Sequence, residues 1–221
     1  VALIFQSCSR LLKSPGYSSS NSSYLLASKD KSPRVLLISF CLALSFAAFF
    51  KADQHYILSA SPERYIRKEA KKVISQPIKG TAKRSENQKE DELLKSTLSK
   101  DNKERSENIM IVDLVRNDLT KTAERGSVKV EELCKVYSFM QVHQMISTIT
   151  SKVLEDVHPV DIIKTTFPMG SMTGAPKISA MKIIEDLEET KRGLYSGAVG
   201  YFTPSGDFDF NVIIRSILYN A

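Results

Sequence analysis

From Ser45 onward, apolar residues alternate with polar ones or gather in short runs. SFAAFF and HYILSAS face each other across the polar break KADQ, as in a hairpin with one buried face. A second hairpin is predicted for residues 65–68 and 73–77. Residues 88–121, QKEDELLKSTLSK followed by DNKERSENIMIVDLVRNDLTK, carry helical spacing in good helix formers without Pro or Gly, and are the strongest helical stretch. SVKVEELCKVYSF and VHQMISTITSKV are rich in Val, Ile, Thr and aromatic residues and read as strands. HPVDIIKTTF predicts a short helix, FPMGSMTGA a loop, and PKISAMKIIEDLEETKR a helix with Pro176 in its first turn. YSGAVGYFT and FDFNVIIRSILY flank the turn PSGD, a further hairpin. Long strands mixed with helices predict an α+β fold, with large antiparallel sheets and packed helices.

Composition adds boundaries to that picture. Residues 1–34 are Ser-rich, with SPGYSSSNSS and SKDKSP, and are expected to be poorly ordered. We therefore set residues 1–45 apart from a domain at 46–221. The apolar run at 35–50 is interrupted by Ser39 and Ser45 and falls short of the ~18 to 20 residues that span a bilayer, so it reads as buried core. Cys8, Cys41 and Cys134 form no CxxC pair and are an odd number, which predicts reduced thiols in the cytoplasm. The chain opens on Val1 and stops at Ala221 in a stretch that still reads as strand, so both ends are expected to be cut.

The net charge of +6 comes from one region, residues 64–105, with thirteen Lys or Arg against seven Asp or Glu. A nucleic-acid surface wants aromatic residues among its charges, and Tyr65 is the only one there. A solvated basic face or a pocket for a small anion fits better.

Four constellations could carry chemistry. The first joins SPERY at 61–65 to PIKGT at 77–81. If the second hairpin turns at Lys71, Glu63 lies opposite Lys79, and a carboxyl and an amine could act on one ligand. Gly80 would admit a ligand close to the backbone, and Thr81 could bind a carboxylate. A surface Glu–Lys pair is the plain alternative. Glu104 and Glu107 form the second, on one helix face before the apolar IMIVDLV. They suit Mg²⁺, and serve equally well as carboxylates complementing a helix dipole. Third is GSMTGAPK at 170–177, an anion site at a helix N-terminus or a plain turn; it lacks the GK[ST] of a P-loop. The fourth is Arg215 in NVIIRS, a cation inside an apolar strand that would need a partner if buried. His143 in VHQMIST reads more readily as a hydrogen-bonded core histidine than as a catalyst.

Taken in order, SASPERY, PIKGT, ENIMIVDLVRNDL, GSV, VHQMIST, FPMGSMTGAPK, SGAVGY and FNVIIR resemble the chorismate-binding enzymes. That group holds the large subunits of anthranilate and aminodeoxychorismate synthases and the isochorismate and salicylate synthases. The resemblance implies that Mg²⁺ anchors a carboxylate of chorismate while an acid protonates the departing C4 hydroxyl and a nucleophile enters the ring. It implies Glu63 as the acid/base, Glu107 as a Mg²⁺ ligand with Glu104 in support, and His143 as an active-site histidine. Gly80, Thr81, Gly170, Ser171, Thr173, Tyr201 and Arg215 fall where the family holds the substrate. At Lys79 the likeness is to the aminodeoxychorismate synthases, in which this lysine attacks C2 and ammonia then enters at C4; anthranilate synthases typically carry alanine. The resemblance further implies ammonia from a separate glutamine amidotransferase subunit and a product bound for p-aminobenzoate and folate. Residues 1–45 resemble none of the family's N-terminal half. The family continues past the position of Ala221 into a helix with a further Mg²⁺ ligand, so these 221 residues alone are expected to bind Mg²⁺ and chorismate poorly.

Overall fold

The computed structural model describes residues 2–5, 25–26 and 46–220. The expectations for the rest of the first 45 residues, including Cys8, Cys41 and most of the apolar run at 35–50, lie outside the described residues. In chain order the strands are β1 (Ala2–Phe5), β2 (Leu25–Leu26), β3 (Phe46–Ala52), β4 (His55–Ser61), β5 (Arg64–Glu69), β6 (Lys72–Ser75) and β7 (Ile78–Lys83). Helices α1 (Gln88–Lys100) and α2 (Asn102–Thr120) follow, then β8 (Lys129–Ser138), β9 (Val142–Lys152), α3 (Pro159–Thr166) and α4 (Lys177–Leu187). The chain closes with β10 (Ala198–Phe202), β11 (Phe208–Val212) and β12 (Ser216–Asn220).

Among the described residues nine strands form one antiparallel sheet in the order β2-β1-β10-β11-β5-β6-β9-β7, with β8 also paired to β9. The remaining three form a second sheet, β12-β4-β3. β9 is the spine of the large sheet: β6 and β7 run end to end along it, and β8 pairs with the same stretch from its other side. Nine consecutive residues of β9, 143–151, are buried, among them His143, Gln144, Ser147 and Ser151, because strands pair along both its edges and both its faces are covered.

The main core is built by Tyr65, Ile66, Val73, Ile149, Phe208 and Phe210 of the sheet against Val112 and Leu119 of α2 and Ile162 and Ile163 of α3. Full burial of each such side chain contributes about 1.5 to 3 kcal/mol. The 88–121 stretch is helical but divides at Asp101. Its side chain accepts from Glu104 N at 3.0 Å and caps α2, while its own N–H ends α1 on the Leu98 carbonyl. A short acidic side chain able to cap competes with helix continuation at that position. No helix among the described residues is long and apolar enough to cross a membrane.

The FDFNVIIRSILY stretch, expected as one strand, is two. β11 stops at Val212 in the large sheet, residues 213–215 cross over, and β12 starts at Ser216 in the small one. Val212 and Ile213 are neighbours in sequence and both fully buried, which a strand with one wet face cannot achieve. The chain makes the reverse crossing at Pro62 and Glu63, between β4 of the small sheet and β5 of the large one.

Candidate active site

The two crossings bind each other. Val212 N–H donates to the Glu63 carbonyl at 3.1 Å, and Ala60 N–H donates to the Arg215 carbonyl at 3.2 Å. The Ser61 hydroxyl bridges the Glu63 backbone, accepting from its N–H and donating to its carbonyl, both at 3.3 Å. Glu63 is thereby held at the seam between the sheets, with its side chain enclosed. Burial pushes its carboxyl up to about 7. The Ser171 hydroxyl, the charge of Lys79, the Ile78 N–H and the charge of Arg215 pull the other way, in that order, and only partly offset it. A carboxyl that ionises near neutrality can both give and take a proton.

The register of the hairpin differs from the one expected. β5 and β6 pair Lys68 with Val73 and Arg67 with Ile74, which centres the turn between Ala70 and Lys71 rather than on Lys71. Continuing that register sets Glu63 opposite Ile78, not Lys79. The half-residue shift comes from a tight turn in which Ala70 takes a φ of 50°. Lys79 comes near Glu63 by another route. The pairing of β7 with β9 slips between Ile78 and Thr81, and Gly80 within that bulge has a φ of 96°. Bulges re-aim side chains. Lys79 Nζ here lies 3.3 Å from Glu107 Oε2 on α2, with both side chains half-buried.

Gly80 packs directly on the same helix. A β-carbon placed on it would lie 3.2 Å from Glu104 Cβ and 3.2 Å from Leu98 Cδ1. Glu104 and Glu107, one helical turn apart, thus face the bulge. Among the described residues there is no group of three or more His, Cys, Asp or Glu suited to a metal ion. Two carboxylates still fit Mg²⁺ as a partial ligand set, since this hard cation commonly takes one or two protein carboxylates and completes its shell with water and substrate oxygen.

Residues 170–172 form a single 3₁₀ turn packed on α2, where a β-carbon on Gly170 would lie 3.1 Å from Leu114 Cβ. The N–H groups of Met172 and Thr173 are engaged inside that turn, and the Thr173 hydroxyl donates to the Met169 and Gly170 carbonyls at 3.3 and 3.4 Å. The expected helix N-terminus begins later, at Lys177, so these residues form a turn rather than the mouth of α4. The Ser171 hydroxyl acts on Glu63 without completing a well-formed hydrogen bond, an enclosed polar atom with spare capacity. An opening of about 370 Å³, its mouth included, lies beside Glu63 and is also lined by Ser171, Tyr65, Asp118, Thr166 and Met169.

Arg215 is exposed, not buried in a strand as its flanking residues suggested. It sits at the crossing with a φ of 50°, where the chain turns out of the large sheet. His143, Thr81 and Tyr201 have other neighbours. His143 is fully enclosed, with Nε2 3.0 Å from Asp91 Oδ1 and Nδ1 3.0 Å from Ser138 Oγ. Asp91 also accepts from Arg84 Nε at 2.9 Å and from Ser85 N at 2.9 Å, and the Arg84 bond foremost holds its carboxyl well below the usual range. Thr81 is exposed beside the bulge, opposite Gln144. Tyr201 is exposed on β10, opposite Asp209.

Reading the sequence missed Ser61 and Asp91. Ser61 had a signal, a serine two residues before the glutamate it braces. Asp91 had none, being one acid among Glu86, Glu90 and Glu92.

The profile described as chorismate binding enzyme matches residues 43–221. A protein of Oryza sativa subsp. japonica named as a probable chloroplastic aminodeoxychorismate synthase is 45% identical over 170 residues, which cover 76% of this chain and 19% of that protein. Aminodeoxychorismate synthase component 1 of Escherichia coli (strain K12) is 44% identical over 172 residues, covering 78% of this chain and 38% of that one. The crystal structure of anthranilate synthase component I from Streptococcus pneumoniae TIGR4 superposes with a TM-score of 0.71 at 35% identity, covering 79% of this chain and 38% of that one. The chain thus spans between about a fifth and two-fifths of the length of these relatives. Its segments, its two-sheet fold and its match across residues 43–221 agree, and the chain belongs to the chorismate-binding enzyme family.

Proposed function

We propose that this sequence carries part of the active site of an enzyme that converts chorismate and ammonia into 4-amino-4-deoxychorismate. The observation that carries the reading is the buried Glu63 carboxyl, ionising at about 7 and lying within electrostatic reach of the Lys79 amine. Hydroxide is a poor leaving group, and an acid that is still protonated near neutral pH converts it to water. In the proposed first step the Lys79 nitrogen, having given one proton to solvent and become the neutral amine, forms a bond to C2. The two ring double bonds shift, the C4–O bond breaks, and water departs with the proton from Glu63. Ammonia then forms the C4–N bond, the double bonds shift back, and the bond from C2 to Lys79 breaks. An amine is the residue type this covalent route requires.

Glu107, with Glu104 beside it, would hold Mg²⁺. That ion would supply positive charge for a carboxylate of the substrate dianion. Ser171 and Arg215 both act on the Glu63 carboxyl, which supports a role for them in meeting the substrate's polar groups. The Escherichia coli relative is named component 1. That name supports a second component, here a glutamine amidotransferase subunit supplying ammonia. A reducing compartment such as the cytoplasm suits the free, buried thiol of Cys134.

Incubation of the full-length protein that carries this sequence with chorismate, ammonium chloride and magnesium chloride, followed by mass spectrometry, tests the reading. We expect 4-amino-4-deoxychorismate, and a chorismate-derived adduct on the peptide containing Lys79. Anthranilate and pyruvate would instead favour the activity named for the Streptococcus pneumoniae structure. Absence of every product and of the adduct would overturn both.

A further inference from the structure

We infer that the Lys79 ammonium and a divalent cation compete for Glu107, so that the arrival of the cation is what releases the lysine toward the substrate. The inference rests on the proposed role of Glu107 as a metal ligand. Lys79 Nζ stands 3.3 Å from Glu107 Oε2, in the space a cation would need to reach that oxygen. The neighbouring Glu104, whose Oε2 would lie 3.3 Å from a β-carbon placed on Gly80, flanks the same bulge, so a cation held by both carboxylates meets Lys79 at Glu107. Two positive groups on one carboxylate oxygen repel each other strongly in a half-enclosed site. The ammonium must therefore swing away when the cation binds.

The bulge makes that swing local. Lys79 and the positive-φ Gly80 occupy the slip in the β7–β9 register, so the lysine is displaced without disturbing the ladder on either side. Glu63 also lies within electrostatic reach of Lys79, so the released side chain can turn toward the proposed reacting centre. Without the cation, Glu107 keeps the amine occupied. With it, the nucleophile and the anchor for the substrate's carboxylate become available together.

Mn²⁺ binding, followed by the electron paramagnetic resonance of the free ion, tests the competition in the full-length protein that carries this sequence and in its Lys79→Met, Lys79→Arg and Glu107→Gln variants. An ion pair of this exposure opposes binding modestly, so Lys79→Met should bind Mn²⁺ about two- to fivefold more tightly. Lys79→Arg retains the cation and should bind as the parent does, and Glu107→Gln should lose binding. In parallel, pulsed acetic anhydride labelling of Lys79 should increase on adding Mn²⁺ to the parent and stay constant in Glu107→Gln. Equal or weaker Mn²⁺ affinity in Lys79→Met would overturn the competition and leave the metal site standing. No Mn²⁺ binding in any of the proteins would remove the metal reading and the competition together.

Discussion

Replacing Glu63 with Gln keeps the size of the side chain and removes its charge, and the fold should gain stability at alkaline pH as turnover is lost. In the unfolded chain this carboxyl ionises near 4.5, and in the folded protein near 7, because burial disfavours the anion. Between those values the folded state holds a proton that the unfolded state has released. Stability therefore falls as pH rises through the window, and the whole loss is present above it. A separation of this size corresponds to about 3 kcal/mol. Glu63→Gln has no such loss, so the two proteins should unfold at similar urea concentrations near pH 4.5. The variant should be more stable by about 3 kcal/mol at pH 8.5, less whatever its neutral amide oxygen loses as a weaker acceptor than the carboxylate for the Ile78 N–H. Urea titrations at half-unit intervals from pH 4.5 to 8.5 measure the gap directly. A gap that stays constant with pH would refute the claim that Glu63 is a strained, proton-holding acid. So would a variant that is the less stable protein at pH 8.5.

Three further outcomes follow from the same geometry. Ser171→Ala removes the influence that most lowers the ionisation of Glu63, so the pH–rate limb belonging to that group should move upward, and an unmoved limb would separate Ser171 from the acid. Gly80→Ala forces a side chain into a φ of 96° and against Glu104 and Leu98, which should lower the urea midpoint by the equivalent of about 1 to 3 kcal/mol. Asp91→Asn should weaken the tie between α1 and His143. Because the Asp91 carboxyl is held well below its ordinary 3.8, the stability it contributes is present above that pH and lost as pH falls below it. Thermal midpoints of the parent and Asp91→Asn should accordingly differ at pH 7 and converge in strong acid.

The hairpins β3–β4 and β5–β6 were legible because apolar residues alternate or gather in short runs on either side of short polar breaks. Their exact centring was not. Asp53 and Ala70 turn the chain with φ of 52° and 50°, and alanine in that conformation leaves no mark that distinguishes it from its neighbours. A half-residue error of this kind moved the expected partner of Glu63 from Ile78 to Lys79. The β7 bulge, which brings Lys79 near Glu63 after all, was visible only as a glycine whose purpose was read as admitting a ligand. For His143 the sequence left two roles open; the structure supplies protein partners for both ring nitrogens. Its partner Asp91 was invisible because nothing local separates one surface-like acid from the next.

Arg215 shows most clearly why a local reading stops short of a site. VIIRSI is rich in β-branched residues that favour extended backbone, so nothing in it announces that the chain changes sheets there. Only the pairing of Ser216 with Ser59, against that of Asn211 with Arg64, shows β12 and β11 belonging to different sheets. The same two pairings draw SPE and IIR side by side, because β4 and β5 change sheets at the matching place in the opposite direction. A continuous sheet would have shared its backbone hydrogen bonds evenly along the strands. At this seam the bonds run from one crossing to the other, Val212 to Glu63 and Ala60 to Arg215, and fix both backbones without needing their side chains. That brings an acid and a cation from segments about 150 residues apart within electrostatic reach of each other, while the sheets on either side exclude the water that would otherwise keep Glu63 ionised.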